Sequence, residues 1–367
     1  MIMKKILLYS AIAALAAAPA AAPAAAQNTQ RLTANKASEY ALIYSLPKTA
    51  LDITLEAELT ESTPGEFYNY ANRHLGITDA IRKPALAATL RSVTVTTHGE
   101  PDDASRWQVQ FKSGSAPFIE LDSRGVPVAV NTEAPARAVP ALPVAQPAAP
   151  TALETEAARQ AVTQDMTRSS STSKRAELAA QRIFELREMR SDLLSGQAEN
   201  TPPDGRAMQL VLDNIAAQEA ALTAMFAGTT KTSTAVRTIT LVPDSSEIDR
   251  IVIARLSPVD GIVAPDDLGG APVTLSLRVD RRATLPVNDK GDTKRFPKGG
   301  FAYNLPGDAT VEVSYGGRVV ATVPVQLSQL GVTFGIDPDV FTDKKAPSLL
   351  ELDPATGAIV RLAPVAK

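Results

Sequence analysis

Apolar and polar residues alternate in several stretches of the chain, with the period of two that is typical of half-buried β-strands. The clearest alternation is that of Leu51, Ile53 and Leu55 with the polar residues between them. Paired glycines, Gly316 and Gly317, follow another such stretch and predict a two-residue hairpin turn. The alternating stretches are 51–58, 93–96, 107–111, 273–279 and 311–315. We therefore expect mainly antiparallel β-structure.

Apolar residues spaced by three and four positions predict two long helices, near 174–195 and 204–227. Two prolines lie in the connection between them, where they interrupt no helical hydrogen bond. We interpret the pair as an antiparallel αα-hairpin. A shorter helix is predicted near 64–75, with Pro64 in its first turn and Gly76 at its end.

Residues 134–150 consist almost entirely of Ala, Pro and Val, and this segment divides the chain. The composition favours a semi-rigid, extended linker, and packing along a domain surface is the alternative. The predicted fold class is α+β, mainly β, with two antiparallel β-rich, sandwich-like domains and an intervening αα-hairpin. The expected regions are an N-terminal β-rich domain at 27–133, the linker, a helical hairpin region at 151–228 and a C-terminal β-sandwich-like domain at 229–367.

Two segments, 116–130 and 346–362, resemble each other in sequence. Each is typical of a hairpin whose turn runs from an Asp to a Gly. Duplication of a β unit and independent convergence on hairpin chemistry both explain the resemblance.

Residues 1–26 are typical of a secretory signal peptide. Lys4 and Lys5 precede a short apolar segment at 6–18, and three alanines at 24–26 form a cleavage site. An uncleaved anchor is the alternative. We expect export, with a mature chain that begins at Gln27 and is periplasmic or associated with the outer membrane. No later segment is long and apolar enough for a transmembrane helix.

Composition excludes several kinds of chemistry. The 367 residues contain no Cys, so lipoprotein anchoring, disulfides, thiolate metal sites and a Cys nucleophile are excluded. Removal of residues 1–26 takes away two Lys and no acid, which leaves 35 basic and 40 acidic residues and a charge of −5. A basic face suited to nucleic acid is not found. No G-x-S-x-G motif marks a hydrolase nucleophile.

The chain contains two histidines. His74 lies at the end of the predicted short helix, where the helix dipole accounts for it. His98 stands beside Glu100, Asp102 and Asp103, where carboxylates can orient an imidazole or help to bind a cation. The segment 99–103 is also typical of a hairpin turn, and we prefer that interpretation.

Two acidic loops have the oxygen ligands that calcium prefers, but neither has EF-hand spacing. Asp and Asn are also common in turns, and we favour that interpretation over a calcium-stabilised module. The loop residues concerned are Asp260, Asp266 and Asp267 in the segment 260–267, and Asn288, Asp289 and Asp292 in the segment 288–292. We assign no catalytic residue, no cofactor site and no metal site.

Aromatic residues are densest near the N-terminal strands, and we expect a helix packed on a sheet to bury them. Trp107 shares a strand face with Val109 and Phe111 and is expected in a core. The dense group consists of Tyr40, Tyr44, Phe67, Tyr68 and Tyr70.

Several blocks occur in an order that resembles a known family. They include EYALIYSLPKTALDITLEAE, TPGEFYNYA, SPVDGIVAPDDLGGAPVTL and FAYNLPGDATVEV. The chain is similar to the exported, uncharacterised Bacteroidetes proteins grouped as domain of unknown function family 4831. The resemblance implies export and a shared multi-part architecture, and it supplies no activity or catalytic residues.

The leading interpretation is a non-enzymatic structural or interaction module of the cell envelope, whose partner is another envelope protein or a glycan. The alternative is a carboxylate-dependent enzyme or binding module that acts on envelope glycans.

Overall fold

The computed structural model describes residues 41–110, 117–135, 141–198, 205–337, 339–343 and 347–365. Within these ranges the fold is mainly β, with antiparallel sheets, as the sequence predicts. The expected signal peptide, Tyr40 and the connection 199–204 lie outside the described residues.

Three sheets contain the twelve strands of the described ranges. The spine sheet consists of β1 (Ala41–Thr63), β2 (Ala85–Gln110) and β5 (Thr229–Leu241), in the order β2-β1-β5. The four-stranded sheet consists of β3 (Ile119–Leu121), β4 (Pro127–Val130), β11 (Ser348–Leu352) and β12 (Ile359–Pro364), in the order β12-β11-β4-β3. The five-stranded sheet consists of β6 (Ile248–Ser257), β7 (Gly261–Val263), β8 (Ala271–Arg281), β9 (Phe301–Tyr315) and β10 (Arg318–Ile336), in the order β10-β9-β8-β6-β7.

Six α-helices occur in the same ranges, and none of them is long and apolar enough to cross a bilayer. They are α1 (Ala71–Leu75), α2 (Glu156–Ala161), α3 (Gln164–Arg168), α4 (Thr172–Ser195), α5 (Arg206–Ala227) and α6 (Asp339–Thr342).

The β1–β2 hairpin is the longest feature of the fold. Its first strand has 23 residues, which span roughly 75 Å at about 3.3 Å per residue. The predicted alternation of 51–58 is confirmed for most positions, because Leu51, Ile53 and Leu55 are fully buried while the polar positions between and beside them are half-buried. Thr54 is the exception, since it is buried as well. Leu51, Ile53 and Leu55 pack against the five-stranded sheet and form what we call the central core.

The segment 99–103 is not the hairpin turn that the sequence predicts. It belongs to β2, which runs on as one strand and pairs with β1 on both sides of an irregularity between Ser45 and Pro47. Residues 102–105 lie opposite the single residue Leu46, so β2 has three extra residues here and forms a bulge. The chain does not reverse here because both halves of β2 pair with the same partner strand.

The connection of the hairpin, residues 64–84, packs against the long helices. Helical structure begins at Tyr68, later than the predicted residue 64, because the preceding residues contact the end of α5. The Phe67 N–H donates to the Met225 carbonyl at 2.7 Å. A Cβ on Gly65 would lie 2.3 Å from that same oxygen, so only glycine fits there. Phe67 is fully buried among residues of α4 and α5, in what we call the helical core.

The two long helices lie close to their predicted limits. The Ser171 hydroxyl accepts a hydrogen bond from the Lys174 N–H at the start of α4, and Gly196, with φ of 74°, ends it. Gly228 follows α5 and leads directly into β5. Arg187 of α4 forms an ion pair with Glu219 of α5, with Nε and Oε1 2.6 Å apart.

The expectation that one helix packed on a sheet buries the N-terminal aromatic residues is wrong, because Tyr44 belongs to one core and Phe67 and Tyr70 belong to another. Tyr44 is buried with Phe301 and Phe341 in what we call the end core, where the spine sheet meets the four-stranded sheet. Phe67 and Tyr70 belong to the helical core. Nearly twenty residues of β1 separate the two groups, and an extended strand places them far apart.

Strands from both predicted β regions share two of the sheets. Strand β5 pairs with β1 from Thr229 opposite Thr63 to Leu241 opposite Leu51. Strand β4 pairs with β11 through Val130 and Leu350. The five-stranded sheet alone is built within the region 229–367. The sheets therefore do not follow the sequence division into 27–133 and 229–367.

The two segments that resemble each other form neighbouring hairpins of the four-stranded sheet. The β3–β4 turn begins at Asp122, whose carboxylate accepts hydrogen bonds from the Arg124 and Val126 N–H groups. The β11–β12 turn begins at Asp353, whose carboxylate accepts from the Ala355 N–H. Antiparallel pairing along the sheet places both turns at the same end of it.

The predicted Gly316–Gly317 turn is confirmed. Tyr315 pairs with Arg318, and both glycines have positive φ, 58° and 76°. Such φ values are required at both central positions of the tight hairpin turn that suits the twist of the flanking strands.

Tyr44 joins the spine sheet to β9 through its hydroxyl. That oxygen accepts from the Ala302 N–H at 2.6 Å and donates to the Ala302 carbonyl at 3.2 Å. Its ring stacks on Phe301 with centroids 4.9 Å apart. Burial raises the pKa of the Tyr44 hydroxyl well above its ordinary value.

The substitution Tyr44→Phe is expected to destabilise the protein by about 1–3 kcal/mol, because it leaves two buried backbone groups of Ala302 unpaired. Denaturant unfolding measures the loss, and Tyr68→Phe at a half-exposed tyrosine is the control. A loss equal to that of the control contradicts this account.

The comparison of the wild type with Tyr44→Phe also predicts how the free energy of unfolding changes at alkaline pH. An unfolded tyrosine ionises near pH 10, whereas the raised pKa keeps Tyr44 protonated in the fold. The hydroxyl therefore stabilises fully below pH 10 and less as the pH rises further. The difference in free energy of unfolding between the wild type and Tyr44→Phe should therefore shrink by about 1.4 kcal/mol per pH unit above pH 10.

Candidate functional site

His98 lies on the polar face of the spine sheet and forms a cluster with residues distant in sequence. Its Nδ1 is 2.6 Å from Oδ2 of Asp52. The other oxygen of Asp52 accepts from the Thr240 hydroxyl at 2.6 Å. On the opposite side of the ring, Nε2 lies 3.6 Å from Oε1 of Glu100. The cluster thus ties all three strands of the spine sheet together.

The arrangement around His98 favours a structural role for the imidazole. A general base needs one ring nitrogen directed at the proton it abstracts. Here each ring nitrogen faces a carboxylate of the protein itself. Asp52 and His98 are also half-buried parts of an open sheet face. Side chains in this setting act as cross-strand pairs.

Sequence reasoning identified His98 and the neighbouring Glu100, but not Asp52 and Thr240, the other two members of the cluster. Asp52 was the polar member of an alternating strand, and Thr240 lies 188 residues away from it. The register of β1 against β2 and β5 brings them together. Alternation marks the face on which Asp52 lies, and it does not identify the neighbouring strands.

His74 lies in the last turn of α1, as predicted. Its ring approaches those of Tyr70 and Phe226, with centroids 6.3 and 6.4 Å away. It therefore belongs to the edge of the helical core.

The acidic loops use their side chains to stabilise turns. The Asp267 carboxylate accepts from the Gly269 N–H at 2.8 Å, and that of Asp260 lies 3.4 Å from the Ser257 hydroxyl. The Asn288 side-chain oxygen accepts from the Lys290 and Asp292 N–H groups. In the described part of the chain no group of three or more His, Asp or Glu side chains is arranged to hold a metal ion.

One densely hydrogen-bonded buried site in the described part of the chain was not predicted at all. It lies where the three sheets meet, and we call it the polar junction. Its members are Thr49 of β1, Asn304 of β9, Ser328 and Gln329 of β10 and Thr356 of the β11–β12 turn. Thr49, Asn304 and Thr356 are all buried.

Thr49 makes bonds through both its side chain and its backbone. Its hydroxyl donates to the Ala355 carbonyl at 3.0 Å and accepts from the Ser328 N–H at 3.1 Å. The Gln329 amide oxygen accepts from the Thr49 N–H at 3.1 Å, and the amide nitrogen donates to the Thr49 carbonyl at 2.8 Å. The side chain of Gln329 therefore pairs with β1 as a neighbouring strand would.

The position of Gln329 explains its role. Pairing of β5 with β1 ends at Leu51, two residues after Thr49. Beyond that point the edge of β1 needs other partners, because buried backbone groups are costly when unpaired. Gln329 lies in an irregular stretch of β10, between Leu327 and Val332, where the regular pairing with β9 is interrupted.

Asn304 connects the second half of the polar junction. Its amide nitrogen donates to the Pro47 carbonyl at 3.2 Å and the Thr356 carbonyl at 2.9 Å. Its amide oxygen accepts from the Thr333 hydroxyl at 3.2 Å. No buried side-chain nitrogen or oxygen of the described residues lacks a partner. The polar junction is thus a satisfied network, which fixes the relative position of three sheets.

Nothing in the local sequence marks the polar junction. Thr49 follows Pro47 and Lys48 in a strand, and Ser328-Gln329 is an ordinary polar pair. The nearest available signal is Gly331, where a Cβ would lie 1.9 Å from the Leu305 carbonyl oxygen. A glycine inside a strand pattern indicates a bulge or a close backbone approach.

The chain is thus a mainly β protein whose polar clusters hold strands and sheets together. The family model described as Domain of unknown function (DUF4831) matches residues 40–360, and the protein belongs to that family. No curated protein and no solved structure matches the chain.

The substitution Thr49→Val is expected to destabilise the protein by about 1–3 kcal/mol, because the Ser328 N–H and the Ala355 carbonyl lose a buried partner. Thr49→Ser, which keeps the hydroxyl, is the matched control. Thermal and denaturant unfolding measure the difference. Equal losses in the two variants would show that the hydroxyl is unimportant.

Proposed function

We propose that this protein is a non-enzymatic structural or interaction module of the cell envelope. The observation that carries the proposal is the β1–β2 hairpin, which contributes residues to all three cores. Tyr44 and Leu46 enter the end core, Leu51 is in the central core and Phe67 is in the helical core. One continuous hairpin that contributes to all three cores suits a structural module, because it holds the parts of the molecule, and any partners bound to them, at a fixed distance from one another.

The location is part of the same proposal. Residues 1–26 have the pattern of a cleavable signal peptide, and the chain has no Cys for a lipid anchor. The protein would be exported to the periplasm or the inner face of the outer membrane. Its partner would then be another envelope protein or a glycan.

A glycan-binding role is the second candidate, and one surface feature favours it. The ring of Phe296 is 38% exposed and stacks on Trp107, with centroids 5.3 Å apart and planes 12° from parallel. The exposed part of this aromatic ring offers an apolar surface that a sugar ring can contact. Trp107 itself is half-buried against the end core, as its strand position predicts.

Genetic complementation distinguishes a structural role of the protein from a chemical role of the Asp52 carboxylate. In a deletion strain scored for detergent sensitivity, Asp52→Asn is expected to restore the envelope, because a half-buried cross-strand pair of this kind contributes about 1 kcal/mol. Thr49→Val is expected to fail at elevated temperature, and Thr49→Ser to succeed. If Asp52→Asn abolished complementation while unfolding like the wild type, a chemical role for the carboxylate would replace this proposal.

Direct binding tests the second candidate. Purified wild-type protein and Phe296→Ala are compared on immobilised envelope glycans, with Phe184→Ala as the control at another exposed aromatic residue. Binding that is lost only in Phe296→Ala would support glycan recognition.

A further inference from the structure

Strand β5 forms one edge of the spine sheet, and the described residues make few backbone hydrogen bonds to its outer side. Thr234 exchanges backbone hydrogen bonds with Gln146 on the side away from β1, at 2.9 and 2.8 Å. In an antiparallel strand, every second residue directs its N–H and C=O to the same side. The outward-facing positions are therefore Thr230, Thr232, Thr234, Val236, Thr238 and Thr240. Among the described residues, Gln146 makes the backbone–backbone bonds to this side.

This edge lacks the protection that the other long edges have. Strand β2 carries Pro101 and the bulge beside it, and β10 carries Pro324 and two register shifts. Strand β5 contains no proline and pairs with β1 in unbroken register over 13 residues. Threonine and valine favour extended structure, so such an edge is a template for another strand.

Residues 141–150, which we call the strap, lie along this edge. Gln146 pairs with Thr234 in antiparallel orientation. The next residue, Pro147, faces away from β5, where an ordinary strand would offer an N–H to a further strand. Proline has no such donor, and Pro143 lacks one as well. The strap thus covers the edge at one point and ends the sheet there.

A second contact anchors the chain to β5 four residues beyond the end of the strap. Lys231 of β5 forms an ion pair with Glu154, with Nζ and Oε1 2.5 Å apart. The other oxygen of Glu154 accepts from the Thr151 N–H at 2.9 Å. The hydrogen bond from Lys231 lowers the pKa of the Glu154 carboxyl, so the pair is charged at neutral pH. Between the two contacts, residues 147–150 are exposed and residues 151–153 are half-buried.

We propose that the strap reversibly covers the edge of β5 and thereby prevents β5 from pairing with a second copy of this chain. Two backbone hydrogen bonds hold the strap to β5, and one ion pair at Glu154 anchors the chain just beyond it, whereas the edge of β5 extends over 13 residues. Release of the strap exposes a regular edge that is suited to strand addition by the same strand of another copy.

The substitution Gln146→Pro tests this directly, because it removes the N–H that donates to Thr234. Gln146→Ala is the matched control, since both bonds are made by the backbone. Sedimentation of the mature chain over a concentration series is expected to show at least tenfold tighter self-association for Gln146→Pro than for the wild type or Gln146→Ala. Glu154→Gln, which weakens the second contact, should shift association in the same direction.

The route of association is checked with a second substitution. Thr232→Pro removes an outward-facing N–H of β5 and costs no bond to β1. Added to Gln146→Pro, it is expected to return association to the wild-type level. Unchanged association in both Gln146→Pro and Glu154→Gln would overturn the proposal. Association that persists in the double variant would also overturn it, because another surface would then be responsible.

Discussion

The backbone ladder of β1 is the interaction on which the other contacts depend. This strand pairs with β2 on one side along nearly its whole length and with β5 on the other side from Leu51 to Thr63. Because it is hydrogen-bonded on both sides there, its apolar side chains are held in one plane facing the five-stranded sheet. A shift of one residue in this register would turn Leu51, Ile53 and Leu55 toward solvent. The central core therefore requires this pairing.

Beyond the end of β5, side-chain hydrogen bonds replace the backbone hydrogen bonds that β5 makes to β1. Gln329 bonds both backbone groups of Thr49, and the Tyr44 hydroxyl does the same for Ala302. Both contacts cross from the spine sheet to the five-stranded sheet. Each is directional, unlike apolar packing, and this property fixes how the sheets meet. The polar junction thus defines the geometry that the hydrophobic cores stabilise.

Local patterns in the sequence predict local structure well in this protein. The strand at 51–58, the Gly316–Gly317 turn and the limits of α4 and α5 follow from periodicity and turn chemistry. The pairing of strands that are distant in sequence does not follow from these local patterns. Periodicity marks which face of β1 is buried, but nothing near residue 51 specifies β5 as its neighbour. The bulge at 102–105 looks like a turn until β1 is known to pair on both sides of it. The same limit applies to the site, since His98 was visible and Asp52, Thr240 and the polar junction were not.

Hydrogen exchange of the wild-type chain, followed by mass spectrometry in increasing denaturant, tests the central claim most directly. If the β1–β2 hairpin joins the cores, peptides from β1, β5 and the five-stranded sheet should open together with one free energy, and residues 51–55 should be among the best protected. Two separate openings, one for residues 41–133 and one for residues 229–365, would contradict the account. They would mean that the β1–β5 ladder does not bind the two regions into one cooperative unit.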